Sequence, residues 1–213
     1  MRTHFVHELE SVRMELIEMG ETTISLLDEV IRAVGSPDSD AAERASEIES
    51  QTDHQHRMIH DHCLNLIARQ APVARDARLL TGILDAIVDL ELIGDYAYEI
   101  ICLKPPPNNR PPSQVSSQLS ELGTKVRDLL SMAIELWRGG DAAGAPLVRS
   151  REAAVRTDCQ TMDEKLGQLV AGPGDARVYL NLLFICKHFE RIVRHAVCVA
   201  DQAAAAAPVT RAE

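Results

Sequence analysis

An all-α fold follows from three features of this sequence. Hydrophobic residues make up 46% of the chain but aromatics only 3%, so the core must be built from Leu, Ile, Val, Ala and Met, which suit helices better than sheets. Apolar residues recur at three- and four-residue spacing over long stretches, the periodicity of an amphipathic helix. These stretches fall three and three on either side of KPPPNNRPPS. The predicted architecture is two antiparallel three-helix bundles, side by side and related by pseudo-twofold symmetry. With 213 residues, the chain is long enough to bury roughly two-thirds of its unfolded surface without disulfide staples.

The first helical pattern runs from His4 to Val34, with Phe5, Leu9, Val12, Leu16, Met19, Leu26, Leu27, Val30 and Ile31 on one broad face. GSPDSD breaks it, and Ser39 or Asp40 can cap a second helix through Gln70. Pro72 can serve as the first residue of a third, ending near Leu103, because proline is tolerated in a first turn. Lys104 to Ser113 is the Pro-dense interior segment and reads as a stiff linker. Three more helices are expected at Val115–Arg138, Ala145–Ala171 and Asp175–Ala206. The expected organisation is therefore residues 1–103 as a first bundle, 104–113 as linker, 114–206 as a second bundle and 207–213 as a fraying tail.

The halves are related by a repeat. RDARLLTGILDAIVDLELIGDYA from Arg75 aligns without a gap on GDARVYLNLLFICKHFERIVRHA from Gly174, matching the two Asp-Ala-Arg tripeptides and placing Glu190 on Glu91, an offset of 99 (190 − 91). Upstream, LNLIA from Leu64 best matches GQLVA from Gly167 at an offset of 103 (167 − 64). A duplicated three-helix unit is the simplest account.

Carboxylates stand out against this background. In VDLELIGDYAYEIIC, Leu84 (just upstream), Ile87, Val88 and Tyr98 share a stripe roughly 100° wide on an ideal helix, and Glu91 and Asp95 fall inside it. Like charges at i, i+4 repel by a few tenths of a kcal/mol on a wet face, and desolvating them without a partner costs several kcal/mol per ion. Either a cation sits between them or the stripe is not fully buried. Glu49 and Asp53 repeat the spacing one helix earlier. Neighbouring helices about 8–10 Å apart let the two pairs converge on one site suited to hard cations. His56 and His60 follow Glu49 and Asp53 down the same helical column and are possible additional ligands. A solvated acidic and histidine-rich face is the alternative for the same residues.

Other chemistries lack their signatures. The net charge is −10, with 32 acidic and 22 basic residues and no dense basic run, which argues against nucleic-acid binding. No Glu is followed by His three positions later, so the di-iron carboxylate pattern is missing. Nor does the chain contain G-x-G-x-x-G, a P-loop, H-E-x-x-H or G-x-S-x-G. Cys63, Cys102, Cys159, Cys186 and Cys198 are odd in number and lack C-x-x-C spacing, so they are expected as buried free thiols. With no run of about 18 apolar residues and an amphipathic, charged N-terminus, the protein is expected to be soluble and cytoplasmic.

Over nearly its whole length the sequence resembles the PhoU family. The resemblance rests on MRTHFVHELESVRMELIEMG at the start, on QAPVARDAR at Gln70–Arg78, on DLELIGDYA at Asp89–Ala97, which is similar to the family's D-L-E-R-I-G-D-x-A, and on the second copy FERIVRHA at Phe189–Ala196. It implies a six-helix fold and a regulator rather than an enzyme. It further implies an adaptor between the phosphate ABC transporter ATPase and a membrane sensor histidine kinase, one that damps the phosphate-starvation response when phosphate is plentiful. Iron, zinc, magnesium or manganese at the acidic motifs, and possible homodimerisation, belong to the same expectation. The chain departs from the pattern at Leu92 and Ala77, and more sharply in the second half. There Arg194 stands at the position of Asp95 and, with the 103 offset, Arg156 at that of Asp53. Glu152 with Arg156 and Glu190 with Arg194 have the favourable Glu-first orientation for i, i+4 ion pairs. The second bundle is thus expected to have exchanged its metal cluster for internal salt bridges. Two rivals remain open at this level, a metal-dependent phosphoester hydrolase and a metal-free helical scaffold.

Overall fold

Six long helices form the molecule: α1 (Arg2–Gly35), α2 (Ala41–Gln70), α3 (Ala74–Leu103), α4 (Ser113–Gly139), α5 (Ala145–Val170) and α6 (Ala176–Ala206), with one 3-10 turn, Ala142–Gly144, before α5. They are taken from a computed structural model that describes residues 2–35, 40–70, 72–103, 109–140 and 142–207. Among these residues there is no strand, and no helix is long and apolar enough to cross a membrane.

Each helix end has a local cause. The carbonyl of Asp40 accepts the Arg44 amide at 3.2 Å, making Asp40 the residue that opens α2; Ser39 lies outside the described residues. Pro72 does not begin α3. The first carbonyl captured is that of Val73, by the Ala77 amide at 2.9 Å, so the helix starts two residues beyond the proline. Gly140 closes α4 at φ 62° and returns its amide to the Leu136 carbonyl, a left-handed cap that favours glycine. Asp175 caps α6 with its side chain, accepting the Arg177 amide at 2.9 Å. In the expected linker, residues 109–112 are non-helical and Ser113 already belongs to α4, while 104–108 lie outside the described residues, as do 208–213 of the expected tail.

Helices α1, α2 and α3 pack on one another, and so do α4, α5 and α6. Between the halves, α1 packs on α4 and α3 on α6, each helix against its own counterpart, as a pseudo-twofold axis requires. Side-chain contacts repeat the symmetry. A Cβ at Gly20 would run into the Ile134 side chain, and one at Gly123 would lie 3.0 Å from Ile31. These two contacts are images of each other at one offset, since 123 − 20 and 134 − 31 are both 103. The glycines let α1 and α4 approach closely, and any larger residue at Gly20 would collide with Ile134. One cluster of buried side chains runs through both halves, from Val12, Leu16 and Leu26 through Ile83, Leu90 and Ile93 to Leu130, Ile185 and Phe189. At about 1.5–3 kcal/mol for each large apolar side chain buried, this shared core is the main source of stability. The Trp137 indole N–H reaches across it to the Val199 carbonyl at 3.0 Å.

The α3 stripe differs from its sequence reading. Its buried edge is Leu80, Ile83, Ile87, Leu90, Ile93, Ala97 and Ile100, whereas Leu84 and Tyr98 are only partly buried and Val88 is 46% exposed. Glu91 and Asp95 therefore lie at the margin of the core, where water reaches them. Of the five thiols, Cys63, Cys159 and Cys186 are buried, Cys198 is half-buried and Cys102 is exposed; all are free. Cys102 departs from the expected burial because it falls on the outward side of the last turn of α3.

Candidate metal centre

The two acidic pairs meet where α2 packs on α3. Thr52 is buried there, its hydroxyl tied to the Ile48 carbonyl at 3.1 Å, and its methyl lies 3.6 Å from where a Cβ of Gly94 would be. That contact sets the register, so the next residues along, Asp53 and Asp95, project at one corner. Oxygens of Glu49, Asp53 and Asp95 all lie within 4.8 Å of one another. Partial burial is the main influence raising the Glu49 and Asp95 carboxyls above the ordinary carboxylate range. Neighbouring negative charge adds to it: Asp53 and Asp95 act on Glu49, and Glu91, Asp53 and Glu99 act on Asp95. Such crowding of hard oxygen donors around one point fits a hard cation.

The other residues singled out in the sequence take different places. Glu91 turns from the three-carboxylate group to His56, 3.2 Å from Nδ1, so that pair flanks the cluster. His60 sits edge-on to His56, ring centroids 6.4 Å apart, and its Nδ1 is 3.5 Å from Asp61 on the solvent side. Arg57 lies 3.8 Å from Asp53, at the rim. The residues gathered around a common point are Glu49, Asp53 and Asp95.

In the second half Arg156 pairs with Glu152 at 3.5 Å. Glu190 takes a different cation from the one its spacing suggests. It pairs with Lys187, three residues earlier, at 3.1 Å, and Lys187 also binds Asp163 of α5. Lys187 serves two carboxylates on two helices at once, Glu190 of its own helix and Asp163 of α5. Arg194 is exposed, and no carboxylate among the described residues is recorded within ion-pair distance of it.

A second polar constellation was not evident in the sequence. At the α3–α6 contact, both Asp89 oxygens are held by α6, one by His195 Nδ1 and the other by the Gln202 amide, each at 2.7 Å. The His195 ring packs on Tyr96 (5.8 Å between centroids), Tyr96 on His188 (5.7 Å), and the Arg191 guanidinium lies 5.3 Å from the Tyr96 centroid. The repeat held the signal. At the 99-residue offset His188 matches Asp89 and His195 matches Tyr96, so facing α3 with α6 antiparallel places all four on the axis. Between α1 and α2, Glu15 and His62 (3.1 Å) stand beside a cleft of about 560 Å³ lined also by Glu8, Glu18 and Arg69.

Fold and site together define an all-α protein of two three-helix units with an acidic corner of Glu49, Asp53 and Asp95 between α2 and α3. The PhoU domain family matches this chain twice, over residues 16–103 and 119–203, and the chain belongs to the PhoU family. A phosphate-specific transport system accessory protein PhoU homolog of Burkholderia sp is 31% identical, over 94% of this chain and 87% of that protein. A homolog of the same description from Pseudomonas aeruginosa is 28% identical over 92% and 82%. Among solved structures, PhoU from Pseudomonas aeruginosa superposes with a TM-score of 0.80 at 26% identity, covering 93% of this chain and 96% of that one. The phosphate transport system regulatory protein PhoU from Streptococcus pneumoniae reaches 0.83 at 17% identity, over 93% and 94%, a likeness of fold.

Proposed function

We propose that this protein is an accessory, regulatory component of phosphate-specific transport that works by contact and not by catalysis. Its place in the PhoU family and the description of its relatives as accessory proteins support the general role. The finer reading is an adaptor in the cytoplasm, joining the phosphate transporter's ATPase to a sensor histidine kinase and damping the starvation response. In this reading the protein meets the membrane only through those partners. Residues 1–103 and 114–206 act as the two structural repeats of this adaptor, joined by the 104–113 linker.

The observation that carries the mechanism is the convergence of Glu49, Asp53 and Asp95. These three residues would hold a metal ion (iron, magnesium, manganese or zinc), with the Glu91–His56 pair beside them. When bound, the ion supplies charge neutralisation and a cross-link between α2 and α3. The carboxylates themselves fix the corner's shape and present it to solvent. Glu152 and Glu190, paired with Arg156 and Lys187, already have their cations and form no second metal site.

The test combines genetics with elemental analysis. Deleting the gene should leave the phosphate-starvation response switched on in high phosphate, and wild type but not Glu49→Ala/Asp53→Ala/Asp95→Ala should restore repression. Purified wild type should carry about one ion or cluster per chain that the triple variant lacks. Full repression by a metal-free triple variant would leave the corner without a role, and no effect of the deletion would overturn the phosphate reading itself.

A further inference from the structure

The two ends of the bundle are images of each other in the repeat, yet only one of them is filled. Where α1 and α3 start and α4 and α6 finish, a cavity of about 560 Å³ opens among Phe5, Leu9, Leu79, Leu136, Trp137 and Ala206. Its counterpart at the opposite end measures about 20 Å³. Ala33, Val34, Arg110 and Ser116 of the small cavity match Leu136, Trp137, His7 and Arg13 of the large one, each pair 103 positions apart. Additional turns of helix wall the larger cavity. Against the repeat, α1 starts eight residues before α4 does (10 − 2, with Ser113 on Glu10), and α6 runs four residues past the end of α3 (206 − 202, with Leu103 on Gln202). Phe5, Val6, His7 and Leu9 belong to the first extension, Ala203 and Ala206 to the second. Ala203, Ala206 and Ala207 with Gly139 and Gly140 leave the space open, since none has a side chain long enough to cross it. Its volume is within the range of small-molecule sites, roughly 300–1,000 Å³.

The lining indicates the occupant. Its walls are largely apolar, and Val6 and Val73 at its edge are 56% and 60% exposed. Of the charged groups around it, Arg13 is taken by Glu10 and by the Trp137 and Arg138 carbonyls, and Arg138 by Glu21 and Glu135. Asp76 sits in the first turn of α3, where the helix dipole favours a carboxylate. Arg75 is the cation left over, exposed and with no carboxylate in ion-pair reach among the described residues. We propose that this cavity binds a free single-chain acyl carboxylate, its hydrocarbon against Phe5, Leu9, Leu136 and Trp137 and its carboxylate at Arg75. Such a ligand supplies the apolar body and the single negative charge that the site lacks. Asp95 lies 19 residues beyond Asp76 on α3 (95 − 76), about 28 Å at 1.5 Å per residue, so occupancy does not depend on the acidic corner or on its metal.

Isothermal titration of the full chain in EDTA at pH 8, with laurate below its micelle concentration, tests it. One laurate per chain should bind with a Kd at or below about 100 µM, and emission from Trp137, the single tryptophan, should shift as water leaves the cavity. Each methylene added from octanoate to laurate should tighten binding about fourfold, equivalent to about 0.8 kcal/mol per CH₂. Ala206→Phe should abolish binding while keeping the wild-type helical circular dichroism. Arg75→Glu, a surface change that leaves the walls intact, should weaken decanoate about threefold to tenfold more than it weakens 1-decanol, as reversal of one exposed charge pair requires. Wild type that binds no laurate, an affinity indifferent to chain length, or binding unchanged in both folded variants would each overturn the proposal. So would attachment to phosphatidylglycerol vesicles without binding of laurate, an outcome that would assign the cavity to a membrane surface instead.

Discussion

The acidic corner of the first half and its counterpart in the second occupy matching places in the repeat and meet the same electrostatic problem in different ways. Glu49, Asp53 and Asp95 crowd together with one cation, Arg57, 3.8 Å from Asp53 at the rim, whereas Glu152 and Glu190 each sit beside a cation of their own, Arg156 and Lys187. The core drew no such distinction, since buried side chains from both halves form one cluster. A duplicated unit can thus diverge at its wet edge while its packing stays common, because exposed positions tolerate charge reversal and buried ones do not tolerate a change of volume.

The most forceful way to break the comparison is through the shared core. Phe189→Ala in the second half and the matched Leu90→Ala in the first should each lower unfolding free energy, by about 3–5 and 2–5 kcal/mol respectively. Urea titration followed by circular dichroism should show a single transition for both variants, and one half melting ahead of the other would mean that the halves are energetically separate. Next is the seam between them. Asp89→Ala strands His195 and Gln202 without their acceptor and should cost about 1–3 kcal/mol, with Asp89→Asn recovering part of it because one oxygen remains.

Reversing the divergence is the sharper experiment. Arg156→Asp with Arg194→Asp gives the second half the Glu-x-x-x-Asp spacing of the first, and the expected result is a second bound ion in the elemental analysis, at a stability cost below about 1 kcal/mol without metal from added like-charge repulsion. Failure to gain metal would place the cause with Lys187, whose hold on Glu190 and Asp163 the double variant leaves intact. The smallest expected effect is at Asp95. In metal-free protein its raised carboxyl binds a proton more readily folded than unfolded, so stability from this group falls as pH rises through the region just above the ordinary carboxylate range. Asp95→Asn should remove that slope and gain a few tenths of a kcal/mol at pH 7, read from melting curves between pH 4 and 7, and added divalent metal should erase the slope in wild type.

Much of this molecule is legible before folding. Apolar spacing placed six helices within a few residues of their ends, since a long amphipathic period has only one way to bury its stripe. Its main local error, Pro72, arose because a proline permitted in a first turn need not occupy one; which carbonyl the chain captures first is settled by packing. The offsets of 103 and 99 between the repeats set Arg156 and Arg194 at the positions of Asp53 and Asp95, so the Glu152–Arg156 pair was readable as well, whereas the Lys187 partner of Glu190 was not.

What the sequence determined alone, then, was the helical class, the duplication and the four carboxylates at i, i+4 spacing, all properties that local periodicity encodes. Tertiary structure decided which of those carboxylates meet. Glu91 turned to His56 and left a cluster of three, Glu190 chose Lys187 over Arg194, and Asp89 found His195 across the pseudo-twofold axis. Each choice is made between residues on different helices, or by a side chain already held by another helix. Spacing along one chain fixes angle and height on a single helix, but only the packing of helices fixes the distances between them.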